Sequence, residues 1–202
     1  MTGKVGEETK TEPQKRKGDV IMCRENETVF LDLETTGLDP ERDEVLEIAI
    51  IGKGEKPLLH SLCKPKKLTE WHKAEKIHGI KPEDVAAAPS FEQLLGAVAE
   101  IIQGRNLVIY NAAYDTKFFP PGFFSKAKVK IQCCQLEYAE HGLSPVKQFG
   151  KYQWKKLVVA TEEIEYKWPC SCGKAHSALA DAFATRAVWQ WLSEKAYPTA
   201  PV

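Results

Sequence analysis

The chain has 202 residues, 43% of them hydrophobic, and its 28 basic and 28 acidic residues give a formal net charge of zero. This length predicts one domain with a sizeable core, and the balanced charge argues against a broad basic surface for duplex binding. No apolar run approaches the ~18 residues of a membrane span, and the N-terminus lacks an apolar secretory core. Six cysteines are too sparse for a disulfide scaffold, so we expect a cytoplasmic protein with free thiols.

The first part of the chain predicts a tail followed by three strands. Residues 1–27 are rich in Lys, Glu, Thr and Gly, which is typical of a disordered or flexible N-terminal tail. Three apolar runs follow, separated by short polar turns at 39–43 and 53–55. Such short connections predict an antiparallel three-strand meander made of Val29–Glu34, Glu44–Ile51 and Leu58–Cys63.

Helices and strands alternate in the remainder of the chain. Apolar runs predict two further strands, Leu107–Tyr110 and Val129–Cys133, and the first should lie parallel to Val29–Glu34 because it follows a helix. Periodicity and capping residues predict helices over Thr69–Ile77, Phe91–Gln103, a short stretch after Asn111, Cys134–His141, Tyr152–Ala160 and Ser177–Lys195. The order predicts an α/β domain over 28–195 with a mixed sheet of about five strands, followed by a C-terminal tail over 196–202.

Asp32 and Glu34 lie near the end of the first predicted strand, in the segment TVFLDLETTG. Side chains alternate along a strand, so both carboxylates point to the same face, with their Cα atoms roughly 7 Å apart. Two carboxylates on an apolar strand need a cation or protons to relieve their repulsion. Gly37 allows the chain to turn closely past such a site. On its own, however, the D-x-E triplet also fits a strand that runs into a solvated loop.

Three later residues strengthen the metal-site interpretation. Asp115 lies in the first turn of the short helix after Asn111, and Asp181 lies in the first turns of the last helix. Carboxylates in these places gain from the helix dipole, which would also explain each of them separately. His176 precedes Asp181 by five residues, a separation that turns ~500° on a helix. We therefore expect His176 on the preceding loop and Asp181 on the helix.

The motifs D-x-E, N-x-x-x-D and H-x-x-x-x-D together resemble the DEDDh branch of the 3′–5′ exonucleases. This superfamily includes the proofreading subunit of the bacterial replicative polymerase and RNase T. The matching segments are DLETTGL (32–38), NAAYD (111–115) and HSALAD (176–181), and the resemblance covers about residues 28–193. It implies an RNase H-like mixed sheet with helices on both faces. Tyr114 departs from the family, which usually has Phe there, and the loop with Cys170 and Cys172 is not a family feature.

The resemblance implies two divalent cations, Mg²⁺ or Mn²⁺, because hard cations prefer oxygen ligands. Asp32 would be shared by both ions, Glu34 and Asp181 would hold one, and Asp115 would hold the other through water. His176 would be the general base, since histidine titrates near neutral pH. The expected reaction releases nucleoside 5′-monophosphates from a free 3′ end of nucleic acid, DNA in the first place, with single strands preferred.

The same resemblance implies a set of substrate contacts around the terminal nucleotide. The backbone after the first strand would approach that nucleotide, a leucine would wedge against its base, and a phenylalanine would stack on a base. A histidine and an asparagine would contact the substrate or brace the site. The expected substrate-binding residues are Thr35, Thr36, Gly37, Leu38, His78, Asn111 and Phe118.

Three alternatives stay open at the level of sequence. An exoribonuclease remains an option, because no residue is identified as reading a 2′-hydroxyl group. An inactive nucleic-acid-binding module would be expected to lack one of the five catalytic positions, and all five are present. A zinc site could use Cys170, Cys172 and His176, with Cys133 or Cys134 nearby, although a single C-x-C pair is a weak zinc signal.

Overall fold

The computed structural model describes residues 27–168 and 175–196. The two predicted tails therefore lie outside the described residues except at Glu27 and Ala196, and so do Cys170 and Cys172. The main sheet has five strands in the order β3-β2-β1-β4-β5. These strands are β1 Thr28–Thr35, β2 Val45–Ile51, β3 Pro57–Leu62, β4 Asn106–Ile109 and β5 Lys130–Cys133.

The sheet is mixed, as the sequence predicts. Strand β1 pairs antiparallel with β2, and β2 pairs antiparallel with β3, which confirms the three-strand meander. On its other side β1 pairs parallel with β4, and β4 pairs parallel with β5. The carboxyl ends of β1, β4 and β5 therefore meet at one edge of the sheet.

The helices are α1 His72–His78, α2 Pro82–Val85, α3 Phe91–Ile102, α4 Ala112–Asp115, α5 Phe123–Lys126, α6 Cys134–His141, α7 Leu157–Glu163 and α8 Ala178–Ala196. A single 3₁₀ turn, Thr116–Phe118, follows α4 directly. In the described ranges, 27–168 and 175–196, no helix is long and apolar enough to cross a membrane.

The two faces of β1 pack against different helices, because its side chains alternate. Val29, Leu31 and Leu33 are buried in the cluster that contains α3. Phe30 belongs instead to the cluster formed with α6 and α8. Helices thus cover both faces of the sheet, and the even-numbered β1 residues face α8. The periodicity that buries Phe30 therefore places Asp32 and Glu34 beneath α8.

Helix α1 differs from its predicted form. The sequence predicts Thr69–Ile77 with Trp71 and Ile77 facing inward, but the helix begins at His72, and Ile77 is exposed. Trp71 occupies the N-cap position and is buried, and its indole N–H donates to the Ile80 carbonyl at 2.8 Å. This contact holds the chain outside the helix at Trp71. The predicted stop at Gly79 is confirmed, since Gly79 has φ +80°.

The predicted helix over Tyr152–Ala160 is also wrong at its start. Two short antiparallel strands, β6 Lys147–Gln148 and β7 Lys151–Tyr152, form a hairpin before α7 begins at Leu157. Each strand contributes only two residues, too few for a hydrophobic pattern to reveal it. Helices α2 and α5 were not predicted, because each has only four residues, too few to show a hydrophobic period.

Candidate active site

Three carboxylates meet where α8 crosses β1. Asp32 and Glu34 come from the α8-facing side of β1, and Asp181 comes from the first turn of α8. One oxygen atom from each lies within 4.8 Å of the others. The structure therefore brings together residues that the sequence places at opposite ends of the chain.

Asp115 lies beside this group, at the end of α4. Because β4 runs parallel to β1, the turn after β4 delivers α4 to the edge where Glu34 lies. Asp115 is only 4% exposed. Its charge raises the pKa of both Asp32 and Glu34, which identifies it as a neighbour, although it is not within the tight three-carboxylate group.

The electrostatics of the four carboxylates favour a divalent cation. Burial, followed by repulsion from neighbouring carboxylates, raises the pKa of Asp32 far above its ordinary value and that of Glu34 to about 9. Burial likewise raises the pKa of Asp115 and of Asp181 to about 7. Such groups need either protons or a cation to remain together. An all-oxygen set of this kind fits Mg²⁺ or Mn²⁺.

Glu47 is a fifth carboxylate near the site, and the sequence analysis missed it. It lies on β2 directly opposite Glu34 and is 5% exposed. It accepts hydrogen bonds from the Ala178 amide at 2.9 Å, the Ser177 hydroxyl at 3.5 Å and His60 Nε2 at 2.7 Å. Glu47 thus fixes the start of α8, which carries Asp181. A signal existed in the sequence, because Glu47 is the only charged residue in the apolar run VLEIAII.

His176 lies on the loop before α8, as the five-residue spacing predicts. It is exposed, and its backbone has φ +68°, an unusual value for a residue other than glycine. Its amide donates to Asp181 Oδ1 at 3.2 Å. This hydrogen bond ties the loop to the carboxylate cluster and leaves the imidazole accessible to solvent.

The loop after β1 is held by hydroxyl groups. The Thr35 hydroxyl donates to the Gly37 carbonyl at 2.7 Å, and the Tyr114 hydroxyl donates to the same carbonyl at 2.9 Å. The two hydroxyl oxygens are 2.6 Å apart. Tyr114, which departs from the family pattern, therefore has a structural role that phenylalanine could not perform, because phenylalanine has no hydroxyl group.

The Asp43 side chain also stabilises this loop. Its carboxylate accepts from the Thr36 hydroxyl at 3.0 Å and from the Asp39 amide at 2.8 Å. A Cβ atom at Gly37 would lie 2.4 Å from Asp43 Oδ2, so a larger residue would push the Asp43 carboxylate away from these hydrogen bonds. The side chain of Thr36 is thus engaged within the loop, and the close approach at Gly37 is made by Asp43.

The other predicted substrate-binding residues near this loop differ in their exposure and in their side-chain contacts. Leu38 is 83% exposed, and Asn111 precedes α4 without a side-chain capping bond. Phe118 is half-buried and packs edge-to-face on Tyr114, with ring centroids 5.3 Å apart. These residues lie near the carboxyl ends of β1 and β4, the edge that carries the carboxylates.

His78 is buried at the end of α1, and burial lowers its pKa, partly offset by the Thr35 carbonyl. Its Nδ1 accepts from the Ile80 amide at 3.0 Å, which leaves the proton of the neutral ring on Nε2. Nε2 is buried and makes no hydrogen bond within the described part of the chain. His176 also acts on this ring, since its charge lowers the pKa of His78. The Nε2–H group of His78 therefore has no hydrogen bond of good geometry to any described residue, and the Thr35 carbonyl near the ring places it beside the loop after β1.

An RNase H-like sheet with a half-buried carboxylate cluster at the carboxyl end of its central strand defines a candidate nuclease. The family model RNase_T, described as Exonuclease, matches residues 29–189. The chain belongs to this exonuclease family and is an exonuclease of the hydrolase class. The resemblance to DEDD 3′–5′ exonucleases that the motifs indicate is confirmed.

Two curated relatives illustrate the match. The "Uncharacterized exonuclease CP81" of Escherichia phage 186 is 36% identical over 173 residues, which cover 80% of this chain and 85% of the phage protein. The "DNA polymerase III subunit epsilon" of Rickettsia typhi is 35% identical over 95 residues, which cover 45% of this chain and 41% of that subunit. The chain thus spans most of the phage protein and less than half of the polymerase subunit.

Solved structures give the same fold. Exonuclease I of E. coli in complex with a dA16 oligonucleotide superposes with a TM-score of 0.67 and 19% sequence identity, over 86% of this chain and 42% of that one. At this identity the likeness establishes the fold alone. The RNase H-like mixed sheet expected from the motifs is confirmed.

Proposed function

We propose that the chain is a metal-dependent 3′–5′ exonuclease that removes nucleoside 5′-monophosphates from the 3′ end of DNA, with single strands preferred. The observation that carries the proposal is the group formed by Asp32, Glu34 and Asp181, whose oxygen atoms lie within 4.8 Å of one another. Half-buried carboxylates this close together repel one another and destabilise the fold unless protons or a cation neutralise them.

The four carboxylates and His176 have different roles in the proposed reaction. Asp32, Glu34, Asp115 and Asp181 would hold two divalent cations, which would neutralise phosphate charge and stabilise both the attacking and the leaving oxygen of an in-line displacement. His176 accepts the proton of the attacking water as general base. Two observations support this role. His176 is exposed, and the hydrogen bond from its backbone amide to Asp181 keeps the residue beside the carboxylates.

The loop after β1 positions the terminal nucleotide. Its hydroxyl and carboxylate braces keep the backbone of Thr35, Thr36 and Gly37 in one shape, which favours a repeated, sequence-independent contact. Leu38 projects from this loop with 83% of its surface exposed, and it wedges against the terminal base.

Three other residues would complete the nucleotide pocket. The unpaired Nε2–H of His78 donates to a phosphate or sugar oxygen, and Asn111 offers a free side-chain amide. Phe118 supplies a ring for the next base, with Tyr114 packed on its edge.

The preference for DNA draws on the similar proteins. Those proteins include a DNA polymerase subunit and an exonuclease bound to a DNA oligonucleotide. A DNA enzyme needs no contact to a 2′-hydroxyl group, whereas an exoribonuclease needs one to select RNA. Exoribonuclease activity is therefore the competing outcome of the test.

The test is side-by-side digestion of 5′-labelled single- and double-stranded DNA and RNA of about 20 nucleotides with Mg²⁺ or Mn²⁺. We expect a ladder shortened from the 3′ end, release of nucleoside 5′-monophosphates, and the fastest decay for single-stranded DNA. Faster decay of RNA would replace DNA by RNA as the substrate. Absence of cleavage for all substrates with either metal would reject the proposed function.

A further inference from the structure

The hairpin segment, residues 143–156, combines positive charge with exposed apolar surface. Its sequence, LSPVKQFGKYQWKK, contains four lysines and no acidic residue, although the whole chain is neutral. Phe149 is 96% exposed, and Trp154 is 62% exposed. The proposed catalytic machinery uses none of these residues.

Phe149 has both an unfavourable backbone conformation and an exposed ring. It stands at the tip between β6 and β7, where Phe149 has φ +50° and Gly150 has φ +79°. A two-residue hairpin turn with both central φ values positive favours asparagine, aspartate or glycine at the first position. A bulky residue in this conformation is strained, and its ring gains nothing from burial. Such a residue at a tip points to a contact with another molecule.

The hairpin segment is anchored at the edge that carries the active site. The Lys155 carbonyl accepts hydrogen bonds from the Tyr110 hydroxyl at 3.0 Å and from Gln135 Nε2 at 3.1 Å. Tyr110 follows β4 directly and precedes Asn111, which opens the helix that carries Asp115. Tyr110 also belongs to the core cluster that contains Phe30, so it lies on the α8 side of the sheet. The base of the hairpin segment therefore shares both an edge and a face with the carboxylates.

Two lysines of the hairpin segment make contacts within it, and two others face solvent. Lys155 pairs with Glu163 and Ser144, and Lys147 lies over the Tyr152 ring, 5.3 Å from its centroid. Lys151 and Lys156 are exposed. The base is thus fixed by pairing, and the outer surface keeps its charge.

We propose that the hairpin segment is a binding site for single-stranded nucleic acid upstream of the 3′ terminus. The inference rests on the proposed function, and it names where the body of the substrate lies while the terminal nucleotide occupies the carboxylate site. Phe149 and Trp154 stack on unpaired bases, which accept an aromatic ring whatever their sequence. Lys151 and Lys156 contact phosphates, and their charge compensates for an active site that is itself acidic.

The test compares three variants, Phe149→Ala, Phe149→Asn and Lys151→Ala, with the wild-type chain. Binding of a 5′-fluorescein oligodeoxythymidylate of about 20 nucleotides is followed by anisotropy in EDTA, so that the readout does not depend on catalysis. We expect each Phe149 variant to raise Kd about tenfold. Lys151→Ala should lower the slope of log K against log salt by about 0.7, the value for one phosphate contact with a single strand.

Phe149→Asn separates a binding role from a structural one. Asparagine tolerates positive φ, so this variant should keep or raise the thermal midpoint while it loses affinity. Lys53→Ala and Leu58→Ala serve as matched controls. Both residues are exposed near the turn between β2 and β3. Ile51 at the end of β2 pairs with Phe30 near the start of β1, so this turn lies at the edge of the sheet opposite the carboxylates. Both controls should bind as wild type does.

Each outcome decides the inference. Hairpin variants that bind the oligonucleotide within about twofold of wild type would overturn it and would indicate a surface for a protein partner instead. Loss of thermal stability in Phe149→Asn, with unchanged binding by Lys151→Ala, would also overturn it. If the wild-type chain cleaves nothing but the hairpin variants bind more weakly, the proposed function fails and the nucleic-acid site stands.

Discussion

Asp32 lies among four other carboxylates of the site. Its carboxylate lies under α8, and Asp181, Asp115, Glu34 and Glu47 all raise its pKa in addition to burial. Because its charge works against folding, the proposed function gives Asp32 a role in holding a cation.

Asp32→Ala should abolish hydrolysis and leave the fold intact, because it removes the ligand expected to be shared by both cations. Turnover with Mg²⁺ and the far-UV circular dichroism spectrum check the two parts. Glu55→Ala, at an exposed turn residue, is the matched control. Turnover of Asp32→Ala within about tenfold of wild type would reject the two-metal assignment.

His176→Ala should reduce kcat by ~10²–10⁴-fold and leave KM nearly unchanged, because it removes the base and no substrate contact. Steady-state kinetics on a single-stranded oligonucleotide separate the two constants. His72→Ala, an exposed histidine on α1, is the control. A kcat within threefold of wild type at pH 7 would exclude the base role. Loss of bound zinc on mutation would instead support a site with Cys170 and Cys172.

The residues of the site differ in how far the sequence predicts them. Asp32 and Glu34 follow from strand alternation, because the run that buries Phe30 fixes their face. His176 follows from the helical turn angle relative to Asp181. Glu47 is visible in the sequence as the one charged residue of the run VLEIAII, but its role is not. The amide that it binds, at Ala178, lies far along the chain and meets it only after α8 docks.

At the scale of elements, β2 and α8 are joined through Glu47. The carboxylate accepts the Ala178 amide, one of the donors at the start of α8 that has no partner within the helix. His60 on β3 adds a second donor. The side chain therefore links two strands to the helix that supplies Asp181.

Glu47→Ala, measured with saturating Mg²⁺, should lower the free energy of unfolding by about 1–3 kcal/mol, because it leaves a buried amide without an acceptor. Glu47→Gln retains one acceptor oxygen and should lose less. Urea unfolding of both variants checks the order. Equal stability of Glu47→Ala and wild type under these conditions would show that the helix start is held by other contacts.

Most elements follow from the sequence, and the exceptions have local causes. The parallel placement of β4, the stop of α1 at Gly79 and the bounds of α6 agree with prediction. The start of α1 does not, because Trp71 is held outside the helix by its bond to the Ile80 carbonyl. The β6–β7 hairpin has strands too short to show a period of two.

At the scale of the whole molecule, the carboxylate cluster makes stability depend on pH. Burial raises the pKa of Asp115 and Asp181 to about 7 and that of Glu34 to about 9, above the values of an unfolded chain. The folded metal-free protein therefore holds protons that the unfolded chain releases. The resulting stabilisation is present at low pH and is lost as the pH rises through these values.

The metal-free protein should accordingly become less stable between pH 6 and pH 9, by up to about 1.4 kcal/mol per pH unit for each proton involved. Thermal unfolding in EDTA across this range measures the effect, and Mg²⁺ should restore more stability at pH 9 than at pH 6. Asp32→Asn should flatten the dependence in EDTA. A midpoint that is constant or rises with pH would contradict the assignment of these carboxylates as protonated.

The position of Asp181 on the last helix has a consequence for the order of synthesis. A ribosome synthesises β1 and its two carboxylates first, and α8 follows only after β2 to β5 and α1 to α7. Until α8 docks on β1, the cluster lacks Asp181, and the loop with His176 has no carboxylate to hold it. A nascent chain therefore carries no assembled carboxylate cluster until α8 has been synthesised and has docked on β1.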